Sequence, residues 1–330
     1  MKALTVRRYG GPDVVTVEQL ATPVPAAGEV LIRIHAAPVT STDVVSRSGS
    51  PLYARLFFGL RAPKIPVLGN EFAGVVDAIG ASVTRFAVGD RVFGLSVFGT
   101  GTHAEYIAVA EDGIIATFPA GRTMIEAVAQ VEGPLTSIPF LRDRAKLAAG
   151  QRILVNGGSS GVGLAAIQYA KWLGAHVTAV TSTGNVPLVA AIGADEVVDY
   201  TATDFTRAGT RYDVIYDAVG KSSWTRSRKA LVPGGIYLTT VPSLGIIAAQ
   251  LWTRVAGKTR AGIAFTGLLP VLDKARDLQL VRELADQGVF EPVIDGVYRF
   301  DDLAAVHAAH ARVDTGRKRG NVVLSIGGTP

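Results

Sequence analysis

The segment Val155-Asn156-Gly157-Gly158-Ser159-Ser160-Gly161-Val162-Gly163 constrains this chain more than any other. A β-branched, apolar run from Arg152 to Asn156 enters it, and a stretch of helical apolar spacing, Val162 to Leu173, leaves it. Within that stretch Val162, Ala166, Tyr169 and Leu173 share one helix face. Gly174 then stands where a helix C-terminus favours a left-handed residue. Glycine lets the backbone approach a ligand closely. The free N–H groups at the start of the next helix, with its dipole, suit a pyrophosphate. A glycine triplet alone is a weak sign, because ordinary strand–helix turns carry one too. Its place between a strand and a helix in a βαβ unit makes it a dinucleotide turn. The expected contacts are Gly158, Ser159, Ser160, Gly161, Val162 and Gly163.

Alternation continues downstream. His176–Thr181 reads as a strand, Val186–Ile192 as a helix ended by Gly193, and Val197–Tyr200 and Tyr212–Tyr216 as strands. Ser223–Leu231 reads as a helix and Gly235–Thr240 as a strand. This pattern implies a doubly wound, Rossmann-type parallel sheet covered on both faces. Before about Arg122 the chain is β-rich, with strands at Glu29–His35, Phe72–Ile79 and Asp90–Gly94, which suggests a partly open barrel. Met124–Arg144 reads as mostly helical, interrupted near Gly133-Pro134. In the tail, Asp277–Gln287 reads as a helix and Val297–Phe300 as extended. Asp302–Arg312 reads as a helix capped by Asp301 or Asp302, and Val322–Ile326 as a closing strand. The fold class is therefore α/β in two domains, residues 1–123 with 269–330 and residues 124–268, the tail returning to the first.

With 48% hydrophobic and 18% charged residues, the chain can bury a sizeable core and is not of disordered composition. It has no cysteine, which excludes disulfides, thiolate nucleophiles and cysteine-based zinc sites. The N-terminal residues lack the apolar core of a signal peptide, and no run reaches the ~18 apolar residues of a membrane helix. A cytoplasmic location and no membrane partner are expected. The net charge of +5 is scattered, apart from Arg317-Lys318-Arg319, and few aromatics interleave with it. That suits an anionic cofactor better than a nucleic acid. The five histidines show no metal spacing. His307 and His310, on one helix, read as a solvated pair, and no metal site is expected.

NAD enzymes usually place an acid ~20 residues beyond the glycine turn to bond the ribose 2′-OH. Here the second strand ends Thr181-Ser182-Thr183, and no Asp or Glu occurs from Leu164 to Ala194. The gap admits a 2′-phosphate, to which these three hydroxyls could donate. NADPH is therefore preferred over NADH.

Several separated segments carry a family likeness: Tyr9-Gly10-Gly11-Pro12-Asp13-Val14, Gly69-Asn70-Glu71-Phe72-Ala73-Gly74, Gly89-Asp90-Arg91-Val92-Phe93-Gly94, Leu135-Thr136, and Ser159-Ser160-Gly161-Val162-Gly163. Further on come Gly193-Ala194-Asp195, Asp217-Ala218-Val219-Gly220, Gly234-Gly235 and the close Gly316 to Val323. In these the chain resembles, over nearly its whole length, the zinc-independent medium-chain dehydrogenases/reductases of the quinone oxidoreductase (zeta-crystallin-like) branch. The resemblance implies a GroES-like catalytic domain built from both chain ends around the Rossmann domain, with the active site in the cleft. It implies hydride transfer from NADPH to a quinone, an enone or another small carbonyl compound, and a homodimer joined through the Rossmann sheet edges. It makes Thr136, Tyr200, Val219, Val241, Phe265, Gly267 and Asn321 further cofactor contacts, with Tyr200 at the 2′-phosphate end and Asn321 on the nicotinamide side. Zinc-dependent relatives hold metal where this chain has Thr40 and Asn70, so no zinc is expected. Zinc-free members usually carry Asn-Pro-x-Asp where this chain has Thr40-Ser41-Thr42-Asp43, which keeps only the Asp.

Nicotinamide supplies the hydride, and the protein supplies orientation. A quinone needs little else; an enone benefits from a proton donor. Tyr53, beyond the Thr40–Asp43 segment, is the candidate donor, with a packing role as the plain alternative. Thr40 and Asp43 either take part directly or orient the loop. Ile246 to Arg260 reads either as a lid over the acceptor or as a surface helix. The altered Thr40-Ser41 pair leaves a second reading open: a weak or inactive NADPH-binding protein acting as a redox-sensing or structural partner.

Overall fold

The structure, a computed structural model, describes residues 1–96, 101–119 and 121–327. It divides into two compact units, one of Met1–Val131, Pro270–Asp286 and Pro292–Pro330, the other of Glu132–Leu269 with Gln287–Glu291.

The first unit opens with β1 (Lys2–Val6) paired antiparallel to β2 (Val15–Gln19). The long β3 (Glu29–Val39) follows, then helices α1 (Ser41–Ser48) and α2 (Arg55–Phe58). Strands β4 (Glu71–Ile79), β5 (Arg91–Leu95), β6 (Tyr106–Ala110) and β7 (Ile114–Thr117) precede helix α3 (Met124–Val128). In β3 only Arg33 is exposed, while Val30, Leu31, Ile32, Ile34 and residues 36–39 are buried, so both faces of this strand are largely covered. Helix α1 was hidden in a region of β-type patterning. It starts at Thr40 because Thr40 and Asp43 form a reciprocal capping box.

The second unit begins with α4 (Glu132–Ile138), continued by a π-type turn, Pro139–Ala145. The break in this helical stretch falls at residues 129–131, not at Gly133-Pro134. A proline in the first turn of α4 lacks an N–H that has no intrahelical partner anyway. Then come β8 (Arg152–Asn156), α5 (Gly161–Trp172), β9 (His176–Thr181), α6 (Val186–Ala191) and β10 (Glu196–Asp199). After these stand β11 (Tyr212–Asp217), α7 (Trp224–Ser227), β12 (Leu231–Thr239), α8 (Leu244–Val255) and β13 (Arg260–Ile263). All six strands are parallel, in the order β10-β9-β8-β11-β12-β13. The helix read at Ser223–Leu231 is only one turn plus a 3-10 turn, since Leu231 already belongs to β12. Of the Ile246–Arg260 segment, residues 246–255 belong to α8, which is capped by Ser243 and buries Ile246 and Thr253, and Arg260 opens β13.

The tail adds α9 (Val271–Asp286), β14 (Ile294–Arg299), α10 (Leu303–Asp314) and β15 (Asn321–Ser325). Asp302 caps α10, its Oδ1 accepting from Ala304 N at 3.0 Å and Ala305 N at 3.2 Å. Strand β15 lies between β14 and β3, giving a sheet ordered β14-β15-β3-β4-β5-β7, with β6 also on β3. Ile32, Ile34, Phe72, Val92 and Ile107 pack with Val306, Ala309, Val322 and Leu324 from the tail into one core.

His307 and His310 are not a solvated pair. His307 Nε2 donates to Val15 O at 3.0 Å, and His310 is fully buried, its ring edge-on to His103 at 6.0 Å. Helix α10 turns both rings inward because its apolar face, Val306, Ala309 and Val313, is the one that packs on the sheet. Burial first, then the neighbouring His103, Arg47 and His307, pushes the His310 pKa down to about 2. The unfolded chain therefore takes up a proton below about pH 6.5 that the folded chain refuses, so this group lowers stability as pH falls from 6.5. The slope for one such group is about 1.4 kcal/mol per pH unit. Urea unfolding at pH 7.0 and pH 5.5 should show it, and His310→Leu should remove one proton's worth of that slope. An unchanged slope in the variant would refute the assignment.

Candidate dinucleotide site

In a parallel sheet the loops after the strands share one edge, where open α/β sheets bind ligands. The second unit gathers most of the expected cofactor residues there. The turn Gly158–Gly163 follows β8, Thr181 ends β9 with Ser182 and Thr183 after it, and Tyr200 follows β10. Val219 follows β11, Val241 follows β12, and Phe265 and Gly267 follow β13.

The turn is built by close approaches. Gly157, one residue before the span singled out in the sequence, is the position at φ +83°. Ser160 is the N-cap of α5; its Oγ accepts from Gly163 N at 3.0 Å and donates to Gly157 O at 2.8 Å. A Cβ on Gly163 would lie 2.2 Å from Gly157 O. A Cβ on Gly157 would lie 2.6 Å from Val219 Cγ1, and one on Gly220 would lie 2.6 Å from Val241 Cβ. Three loops thus meet edge to edge around the start of α5. Thr136 sits on α4, which crosses α5 closely: a Cβ on Gly133 would be 2.7 Å from Gly161 O. Its neighbour Ser137 ties the two helices by donating to Val162 O at 2.9 Å.

Asp217, fully buried at the end of β11, organises the middle loop. It accepts from Asn156 Nδ2 at 2.9 Å, Ser222 N at 2.7 Å and Tyr237 Oη at 2.8 Å. Burial and the Asp217 charge push the Tyr237 hydroxyl pKa well above its ordinary value. An acid closing an apolar strand and followed by a glycine was the signal for this role.

At the end of β9, Thr181 Oγ1 donates to Ser159 Oγ at 3.0 Å, and Asn185 Nδ2 donates to the same oxygen at 3.0 Å. The glycine turn and the expected 2′ end are therefore one hydrogen-bonded piece. The acid-free stretch behind the turn is real in sequence, yet the sheet returns an acid from the next strand. Asp199 pairs with Thr181 across the β9–β10 ladder. Its Oδ2 accepts from Thr183 Oγ1 at 2.6 Å, and its Oδ1 accepts from Thr201 N at 2.9 Å. The Thr183 and Thr201 hydroxyls hold its carboxyl below the usual carboxylate range. Thr183 thus directs its proton to a carboxylate. Tyr200 is exposed and bonds by its N–H to Thr181 O at 3.0 Å. Phe265 is exposed at the end of β13.

The remaining candidates lie in the first unit. Thr40 and Asp43 are both buried. Asp43 Oδ2 accepts from Thr40 N at 2.7 Å and Thr40 Oγ1 at 2.9 Å, and Oδ1 accepts from Gly69 N at 2.8 Å. Tyr53 is half exposed in a 3-10 turn, Leu52–Ala54. Asn321 opens β15, its Nδ2 donating to Ala129 O at 3.2 Å. Among the described residues no three His, Cys, Asp or Glu side chains converge as a metal site.

A parallel six-stranded sheet with a capped glycine turn at its carboxyl edge, carried with a second, β-rich unit, defines a two-domain dehydrogenase/reductase. Residues 26–119 match the alcohol dehydrogenase GroES-like domain and residues 192–324 match the family described as zinc-binding dehydrogenase. Thr40 and Asn70 offer neither a thiolate nor an imidazole to a zinc ion. The chain is 32% identical to 2-methylene-furan-3-one reductase of Solanum lycopersicum, over 98% of this chain and 79% of that one. It is 34% identical to a quinone oxidoreductase of Pseudomonas aeruginosa, over 72% of each. The solved quinone oxidoreductase of Coxiella burnetii superposes with a TM-score of 0.86 at 26% identity, covering 99% of both chains. The chain belongs to the medium-chain dehydrogenases/reductases, in their quinone oxidoreductase-like branch, and is an oxidoreductase.

Proposed function

We propose that the chain is an NADPH-dependent, zinc-free reductase that delivers hydride to a quinone, an enone or a similar small carbonyl acceptor. The observation that carries this reading is the single hydrogen-bonded piece formed by the glycine turn and the Thr181–Asn185 segment. The names of the tomato and Pseudomonas relatives support the acceptor class. In this reading the N–H groups opening α5 hold the pyrophosphate, with Ser160 fixing their direction. Thr181, Ser182 and Tyr200 line the 2′-phosphate end, and Val219, Val241, Phe265, Gly267, Thr136 and Asn321 flank the rest. When bound, the nicotinamide supplies the hydride. Thr40 and Asp43 hold their segment in place, since one Asp43 oxygen is engaged by Thr40 and the other by Gly69 N. Tyr53 is the side chain that could return a proton to a reduced enone; a reduced quinone takes its protons from water. The catalytic domain is the unit made of both chain ends. A cytoplasmic homodimer goes with this reading, and β10 and β13 are the edge strands such a contact would use.

The test is metal-free oxidation of NADPH, followed at 340 nm, with a panel of quinones, enones and aldehydes. Turnover with at least one class is expected. Tight NADPH binding without turnover across the panel would instead favour the redox-sensing alternative. The same assay reads Asp199. Its charge repels a 2′-phosphate by on the order of 1 kcal/mol at a few ångströms in water. Asp199→Asn should raise kcat/KM for NADPH about fivefold and leave NADH within twofold. An equal change for both cofactors would remove Asp199 from the 2′ end.

A further inference from the structure

From residue 218 to residue 272 the chain has no Asp or Glu but carries Lys221, Arg226, Arg228, Lys229, Arg254, Lys258 and Arg260. Helix α8 lies in the middle of this stretch. Its inner face, Ile246, Gln250 and Thr253, packs on β13: Gln250 Oε1 accepts from Ile263 N at 2.8 Å and Thr253 Oγ1 from Ala261 N at 3.0 Å. Its outer face is apolar and uncovered. Leu244 is 87% exposed, Leu251 58%, Trp252 63% and Val255 89%. Arg254 flanks that face. The turn after α8 carries Lys258, Arg260 opens β13, and Trp224 Nε1 donates to Thr259 Oγ1 at 3.2 Å, which brings α7 and the Arg228 that follows it to the same end of the helix.

An exposed apolar helix face with a tryptophan, bordered by Arg254, Lys258 and Arg228, matches the boundary of an anionic lipid layer; Arg226 on α7 is paired with Asp204 at 2.9 Å. We propose that α8 docks this protein peripherally on an anionic lipid surface, Leu244, Leu251, Trp252 and Val255 entering the interface and Arg254, Lys258 and Arg228 meeting the headgroups. Among the described residues no helix is long and apolar enough to cross a membrane. A second copy is the weaker occupant on charge grounds. A two-fold contact sets each patch against itself, so the same cations would face each other. A polyanion such as nucleic acid would use the cations and leave the apolar face idle.

The experiment is co-sedimentation of the full chain with vesicles of phosphatidylcholine alone, or with about a third phosphatidylglycerol, at ~0.1 M salt, where surface charges are still felt. Binding to the anionic vesicles at least tenfold tighter than to the neutral ones is expected. Each cation near such a surface contributes roughly fivefold, about 1 kcal/mol. The double variant Arg254→Glu/Lys258→Glu should therefore lose at least twentyfold, and Leu251→Glu at least tenfold. Both changes lie on the exposed surface, and either variant that keeps the wild-type melting curve suffices for the test. Equal binding to both vesicle types, or wild-type binding by Leu251→Glu, overturns the proposal. So does a dimer in sedimentation that Leu251→Glu dissociates, which would show a second copy on this face. None of these outcomes depends on the dinucleotide reading.

Discussion

Gly163→Ala should weaken dinucleotide binding about 100-fold and destabilise the protein by about 2–3 kcal/mol. In an open helix the same change stabilises by up to about 1 kcal/mol, because alanine is the better helix former. The sign reverses here because the added Cβ would meet only backbone: Gly157 O at 2.2 Å, Gly157 C at 2.9 Å and Gly158 Cα at 3.0 Å. No side-chain rotation relieves such contacts, so the start of α5 must move off β8, at the cost typical of overpacking. That shift pulls Gly163 N from Ser160 Oγ, now at 3.0 Å, and undoes the cap. The N–H groups proposed to hold the pyrophosphate then lose both position and direction. A 100-fold rise in Kd corresponds to about 2.7 kcal/mol. Fluorescence titration should show NADPH and NADH weakened alike, because both carry the pyrophosphate. That separates this change from Asp199→Asn, which acts on one cofactor alone. Near-wild-type binding in a folded Gly163→Ala protein would place the dinucleotide elsewhere.

How legible these features were in sequence depended on the range of the interaction behind them. The strand–turn–helix at residues 152–172 was readable because its signals lie within a few residues of one another: an apolar run, glycines, then helical spacing. Gly157 was passed over because its left-handed backbone answers to Val219, which folds back from β11 and is invisible to local spacing. Asp199 was missed for the same reason. Counting along the chain from the turn stops before it, whereas the β9–β10 ladder sets it beside Thr181. The inward turn of His310 depends on which face of α10 meets the sheet, and its low pKa on that burial and on His103 and Arg47, more than two hundred residues earlier in the chain. Helix α1 was legible in principle, since Thr40-Ser41-Thr42-Asp43 is a capping-box pattern. Its cap lies wholly within those four residues. In Thr40 and Asp43 the local and functional readings meet, so a substitution there separates the two.

Asp43→Ala should lower stability by about 3–5 kcal/mol, roughly 10 °C in melting temperature for a unit of this size. The carboxylate is 1% exposed and accepts from Gly69 N at 2.8 Å, Thr40 N at 2.7 Å and Thr40 Oγ1 at 2.9 Å. Hydrogen bonds to a charged acceptor are worth about 1.5–3 kcal/mol each, and stripping the acceptor leaves buried donors unmet. The cap of α1 goes, and so does the tie between α1 and the Gly69 turn. Asp43→Asn keeps one acceptor oxygen but turns an N–H toward one of those donors, so it should lose about 2–3 kcal/mol. Dinucleotide affinity, most of whose contacts the second unit supplies in the reading above, should stay within twofold for both variants below their melting points. Turnover should fall in step with the loss of order around α1, with KM for the acceptor rising more than kcat drops. The opposite pattern, full stability in Asp43→Asn with kcat abolished and KM unchanged, would put this carboxylate on the reacting atoms. The geometry argues against that pattern, because each oxygen of Asp43 already answers to a backbone N–H.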